Sequence, residues 1–137
     1  MGINPHFIIM ANFDNQKLYI LSIPKKKTLI TKIGETQVDM KRRITAFGMG
    51  GKWRHMEGSI IIELEMHTLL APTIERMVKK TLQKNWKDKQ CMDRNMGRGY
   101  TEWYNIAPSS MKGIVYKSIQ TLYRQDRLLK RKLQEVK

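Results

Sequence analysis

The sequence holds a single cysteine, Cys91, so no intramolecular disulfide can form and no thiolate-rich zinc site can be assembled from this chain. That usage fits a reducing compartment, and a cytoplasmic location is expected. Long apolar runs are missing too. The stretch around Ser59–Ile62 is interrupted by Glu63 and Glu65, well short of the roughly 20 apolar residues a membrane-spanning helix requires, so no membrane partner is expected. Met1–Ala11 lacks a charged region followed by an apolar stretch and a small-residue cleavage site, and no secretory leader is expected. Internal repeats and low-complexity tracts are absent as well.

Acidic side chains are scarce: 12 Asp and Glu stand against 26 Lys and Arg, a formal net charge of +14. Such an excess repels itself in the compact state unless a polyanion is nearby. The cations are spread through segments that also carry Trp53, Trp86, Trp103 and Tyr100, and interleaved cations and flat rings suit phosphates and bases better than a membrane surface. A generically basic protein is the bland alternative. With 137 residues and 41% hydrophobic content, the chain can build one compact core and is too short for two ordinary domains.

Lys17–Ile23 and Thr28–Ile33 are β-favouring runs joined by Pro24 and Lys25, Lys26 and Lys27, which predicts a hairpin with a cationic tip. Asp39 is placed to cap a helix that carries Met40, Ile44 and Phe47 on one face, and Gly48, Gly50 and Gly51 stop it. Ser59–Met66 predicts a third strand, with Ile60, Ile62, Leu64 and Met66 on one side. Pro72 suits the first turn of the next helix, which ends near Trp86. Lys87–Gly99 reads as a long basic loop, Tyr100–Ile106 as a brief edge strand, and Pro108 opens a final helix with an apolar stripe running from Met111 to Val136. The expected fold is α+β, a small, mainly antiparallel three-stranded sheet flanked by helices, with a long basic C-terminal helix. Residues 1–16 form an N-terminal arm in this reading, 17–107 the main domain, and 108–137 a basic amphipathic helix packed on it.

Within this order, Leu18-Tyr19-Ile20, Lys32-Ile33-Gly34-Glu35-Thr36 with Asp39-Met40-Lys41-Arg42-Arg43, Thr73-Ile74-Glu75-Arg76-Met77 and Glu102-Trp103-Tyr104 together resemble the GIY-YIG nucleases. The likeness is to a branch found in phages and bacteria that carries KIG where others have YIG, and it covers roughly Lys17–Ile106. It implies a metal-dependent endonuclease acting on DNA, with RNA an open alternative, and the cytoplasm of an infected host if a phage encodes it. Tyr19 takes the family's general-base position, Lys32 the place of the second tyrosine, and Arg42 the phosphate-clamping position, with Arg43 its competitor if the helix begins one residue later. Glu75 is the implied ligand for Mg²⁺ or Mn²⁺, and His67, with His55 as a second candidate, a proton donor to the leaving oxygen.

These residue types suit the chemistry. Phosphodiester hydrolysis needs an activated water, charge stabilisation at phosphorus and help for the leaving oxygen. A strand phenol can accept or relay the water's proton if cations nearby lower its pKa. A guanidinium fork matches two phosphate oxygens, and one carboxylate with waters and substrate oxygens makes an ordinary Mg²⁺ shell. Each has a plainer reading: Tyr19 a half-buried strand tyrosine, Lys32 an outward-facing lysine, Glu75 a helix-dipole glutamate. Lys25, Lys26, Lys27, Lys41, Arg43, Lys52, Trp53, Arg54 and His55 are the candidate nucleic-acid contacts. Of the departures from the pattern, Leu18 in place of glycine is tolerable on a strand, while Glu35 counts against catalysis because it would repel a phosphate unless it joins Glu75 on a metal. A scaffold that binds nucleic acid without cutting it is therefore the first alternative. A phage interaction or host-takeover protein, with the final helix as a docking or homodimer contact, is the second.

Overall fold

A computed structural model describes residues 16–25 and 28–136, the side chains of Thr28 and of residues 128–136 excepted. The arm expected over 1–16, Lys26 and Lys27 at the hairpin tip, and the distal side chains of the last helix lie almost wholly outside the described residues.

Strands β1 (Lys17–Lys25) and β2 (Thr28–Thr36) form the expected hairpin, and β3 (Ile61–His67) adds to the other side of β1. The brief aromatic segment contributes a fourth strand, β4 (Trp103–Tyr104), against Thr31 and Lys32 of β2. The sheet is thus four-stranded rather than three-stranded, antiparallel throughout, in the order β3-β1-β2-β4. Helix α1 spans Met40–Ala46, α2 Ala71–Asn85 and α3 Pro108–Val136.

Layers cover both faces of the sheet. Leu18 and Ile20 of β1 and Ile33 of β2 pack with Ala71, Ile74, Val78 and Leu82 of α2 and Met111 and Val115 of α3. Their neighbours Tyr19, Leu21, Ile23 and Ile30 point the other way, onto Met40, Phe47, Trp53, Met96 and Trp103. A strand covered on both sides reads as a continuous apolar run rather than an alternating one, which is why Leu18–Ile23 is buried without a break. The sides of β3 do not match the expectation. Pairing shifts between Ile20 and Leu21, so Ile20 faces Leu64 while Leu21 faces Ile62. The slip puts Ile62 on the opposite side from Leu64 and Met66 and leaves it 44% exposed.

Local signals explain the helix starts. Asp39 accepts the Arg42 backbone N–H at 3.0 Å, the N-cap bond that satisfies an otherwise orphan donor. Pro72 stands in the first turn of α2, where its missing N–H costs nothing. The basic stretch 87–99 is not an open loop. The Cys91 N–H donates to the Trp103 carbonyl at 2.9 Å, Asn105 to Lys89 at 2.7 Å and Arg98 to Phe47 at 2.7 Å, folding it back over α1 and β4. Helix α3 is long, about 40 Å at 1.5 Å per residue, and its packing against the core extends through Ile119 and Leu122, beyond which Tyr123 is 65% exposed.

Candidate active site

Tyr19 lies in the middle of β1, opposite Gly34 of β2. Its ring crosses directly over that glycine: a Cβ at position 34 would come within 2.3 Å of the Tyr19 hydroxyl. The glycine of the Lys32-Ile33-Gly34 string is therefore a steric requirement of the tyrosine, independent of any turn. The hydroxyl accepts a hydrogen bond from Arg43 Nε at 3.3 Å. Burial pushes the phenol up to about 12, although the Arg43 hydrogen bond and charge pull it the other way, and Glu102 and Glu75 add to the rise. The expected lowering by nearby cations is outweighed, and at neutral pH Tyr19 is a phenol.

The guanidinium beside Tyr19 belongs to Arg43, and Arg42 is exposed. Helical phase accounts for which arginine faces inward. With α1 starting at Met40, its inward face is Met40, Arg43, Ile44 and Phe47 at i, i+3, i+4 and i+7, while Arg42 and Lys41 point to solvent. Arg43 also lies over the Phe47 ring, 5.5 Å from its centroid, and the bond to Tyr19 raises its pKa further.

Lys32 is not outward-facing; it is fully buried. Its ammonium pairs with Glu102 Oε2, approaches the Gly99 carbonyl at 3.5 Å and sits 5.1 Å above Phe47. Burial lowers its pKa, and Glu102 acts in the opposite sense. Strand β4 covers only Thr31 and Lys32 of β2, and next to it Lys79 of α2 reaches Glu102 Oε1 at 2.6 Å and also pairs with Glu75, four residues earlier on the same helix. Burial raises the Glu75 pKa, opposed by Lys79. Burial likewise pushes on Glu102, but Lys32 and Lys79 prevail and hold it below the usual carboxylate range. A continuous chain of charge, Lys32 to Glu102 to Lys79 to Glu75, thus borders the Tyr19–Arg43 pair, and both carboxylates act electrostatically on Tyr19.

The remaining candidates lie elsewhere. His67 is exposed at the end of β3 opposite Lys17, and His55 and Arg54 are exposed on the 3-10 helix Gly51–Ser59. Trp53 offers no stacking face for a base: it is 3% exposed, donates from Nε1 to Asp93 at 2.7 Å, and carries the ammonium groups of Lys25 and Lys52 at 5.1 and 5.4 Å from its ring centroid. It anchors two surface cations instead. Glu35 pairs with Gln16. Sequence reasoning assigned no role to Lys79 or Glu102; the Glu75–Lys79 spacing of four is the signal that a helical ion pair leaves.

Among the described residues no cluster of three His, Cys, Asp or Glu side chains is poised to hold a metal. The donor set is nonetheless compatible with Mg²⁺, which is bound through one or two carboxylates plus waters and substrate phosphates. Glu75 is partly buried and already takes a cation, the Lys79 ammonium; a divalent ion would enter by displacing it.

A family model described as the T5orf172 domain matches residues 16–121, well over half of the chain and all of the elements that build this site. Compared with curated proteins and with solved structures, the chain has no match.

Proposed function

The chain belongs to the T5orf172 domain family, and on that premise we propose that it is a divalent-metal-dependent endonuclease of the GIY-YIG kind, hydrolysing phosphodiester bonds in DNA. The family points to a phage-associated, nuclease-like or DNA-binding role. The observation that carries the finer reading is that a phenol, a guanidinium and a carboxylate far apart in sequence lie within electrostatic reach of one another: Tyr19 is hydrogen-bonded to Arg43 and acted on by Glu75 and Glu102 of the Glu75–Lys79–Glu102 chain.

In this reading Arg43 is the clamp. One of its five donors engages Tyr19, and the guanidinium charge faces the developing charge on the scissile phosphate, where such preorganised donors are most effective. Water attacks phosphorus, one ester P–O bond breaks, and the products are a phosphomonoester and an alcohol. Tyr19, neutral at pH 7, orients the water and relays a proton rather than acting as a phenolate. Lys32 supplies positive charge from inside the sheet. Glu75 would hold Mg²⁺ or Mn²⁺, whose chemistry is Lewis-acid withdrawal of charge from phosphate oxygens. Lys41, Arg42, Lys52 and Arg54, all exposed, are placed to attract the DNA backbone.

One observation favours a second reading, a domain that binds nucleic acid without cutting it: Tyr19 is 0% exposed, so its hydroxyl is closed to water in this arrangement. Supercoiled plasmid incubated with Mg²⁺ or Mn²⁺ separates the two. Hydrolysis predicts nicked product from the wild type and at least a 100-fold loss in Glu75→Ala. Equal, metal-independent traces from both proteins, with binding that weakens steeply as salt rises, would leave the binding module.

A further inference from the structure

A charged lysine inside a sheet is unusual enough to require a reason. Lys32 is 0% exposed, on the central face of β2 beside Phe47 and Trp103, and an ammonium there is stable only with a fixed counter-charge. Charged and titratable groups reach it from several elements: Arg43 from α1 and Lys79 from α2, both of its own sign, and one carboxylate, Glu102, from the 3-10 turn before β4. On the same face Tyr19 of β1 lies over Gly34, two residues along β2.

The chain is shaped to let Glu102 arrive. Gly99 precedes the turn Tyr100–Glu102 with φ of +75°, and a Cβ there would come within 2.7 Å of Lys32 Nζ and 2.9 Å of Glu102 Oε2. Only glycine combines that left-handed backbone with so close an approach. The two carboxylate oxygens are then divided, Oε2 on Lys32 and Oε1 on Lys79 at 2.6 Å. Lys79 in turn meets Glu75.

We propose that Glu102 is the positioning residue of the site: it holds the Lys32 ammonium in place within the sheet and, through Lys79, ties that ammonium to Glu75. It acts through other groups, setting the charge and placement of Lys32 and Glu75. Its catalytic consequence rests on the nuclease reading; its effect on Lys32 does not. Without the carboxylate, Lys32 would be left near two cations in a buried site and would hold its proton less tightly.

The test uses the full chain labelled with ¹³C-lysine, the Lys32 signal assigned by its absence in Lys32→Met. The Cε resonance is followed against pH in the wild type, Glu102→Gln and Glu102→Asp, with plasmid nicking measured in parallel. Glu102→Gln is expected to move the Lys32 midpoint down by about 1–3 pH units, the usual effect of losing an adjacent opposite charge, and to lower kcat with KM for DNA unchanged. Glu102→Asp, which keeps the charge on a shorter arm, is expected to give a smaller shift and to recover part of kcat. A Lys32 midpoint that is the same in the wild type and in either folded variant overturns the proposal. Should Glu102→Gln fail to fold, Glu102→Asp alone carries that comparison. A shifted midpoint in a protein that never nicks DNA upholds the positioning role and removes the nuclease reading instead.

Discussion

Gly34→Ala is the sharpest probe of the site's architecture, because it adds one methyl group beneath Tyr19. The added carbon would lie 2.3 Å from the hydroxyl and 2.4 Å from Cζ, about 1 Å inside the 3.4 Å of ordinary contact. The ring cannot swing freely aside, since Tyr19 is 0% exposed and packed among Met40, Phe47 and Trp103. Overpacking of this kind costs about 1–3 kcal/mol, and displacing the ring from Arg43 removes a hydrogen bond worth about 1 kcal/mol more. Replacing glycine where the backbone is ordinary returns roughly 0.5–1 kcal/mol through the unfolded state. The net expectation is a loss of about 1–3.5 kcal/mol, or about 4–14 °C in Tm at roughly 4 °C per kcal/mol. Urea unfolding or calorimetry measures it, and a double-mutant cycle isolates its origin. In a Tyr19→Leu background, which removes Cζ and the hydroxyl, Gly34→Ala should become nearly neutral, giving a coupling of about 2 kcal/mol. A Gly34→Ala protein within about 0.5 kcal/mol of the wild type, or an equal loss in both backgrounds, would show that Tyr19 does not cross Gly34 and would dismantle the Tyr19–Arg43 pair with it.

Two further outcomes follow from the same geometry. The two adjacent arginines should behave differently. Arg43→Ala is expected to cut nicking by roughly 100- to 1,000-fold, as removal of a preorganised donor does, while Arg42→Ala leaves kcat intact and reduces the salt slope of binding by about 0.9, the loss of one phosphate contact; the reverse pattern would put the clamp at Arg42. Alkaline stability should report Tyr19 directly. Its value near 12 in the fold exceeds the ordinary 10, so between pH 10 and 12 the unfolded chain releases a proton that the native state retains. The stabilisation is complete below pH 10 and is lost as pH climbs to 12, by roughly 2–3 kcal/mol. Tyr19→Phe should lack that component of the decline, and parallel curves for the two proteins would contradict the burial argument.

What could be read from the chain was what local chemistry determines. The hairpin, the Asp39 cap, the Pro72 start of α2 and the Pro108 start of α3 each follow from residues within a turn of the feature they set. The identity of the inward arginine was within reach by the same means, since Met40, Ile44 and Phe47 define a face that includes position 43 and excludes 42. A spacing borrowed from the resembling family overrode that periodicity. Trp53 shows the opposite limit. Its neighbours Lys52 and Arg54 make it look like a base-stacking residue, but its partners Asp93 and Lys25 are distant in the chain, and only tertiary packing turns it inward.

The buried charges mark where sequence reading has no purchase. A lysine in a β-favouring run has an outward-facing default because burial of an unpaired ammonium is costly, and nothing near Lys32 in the chain signals a partner. That partner, Glu102, arrives because a two-residue strand places Trp103 opposite Lys32, a pairing too short to announce itself by periodicity. Yet the physical requirement runs in one direction only. Once the sheet order puts position 32 on a covered face, either the residue must be apolar or a carboxylate must be delivered to it. The glycine at 99, the turn that follows and the glutamate at 102 are together that delivery. A buried lysine on a central strand can therefore serve as a query addressed to the rest of a sequence: find the acid that comes just before a short aromatic strand, preceded by a glycine.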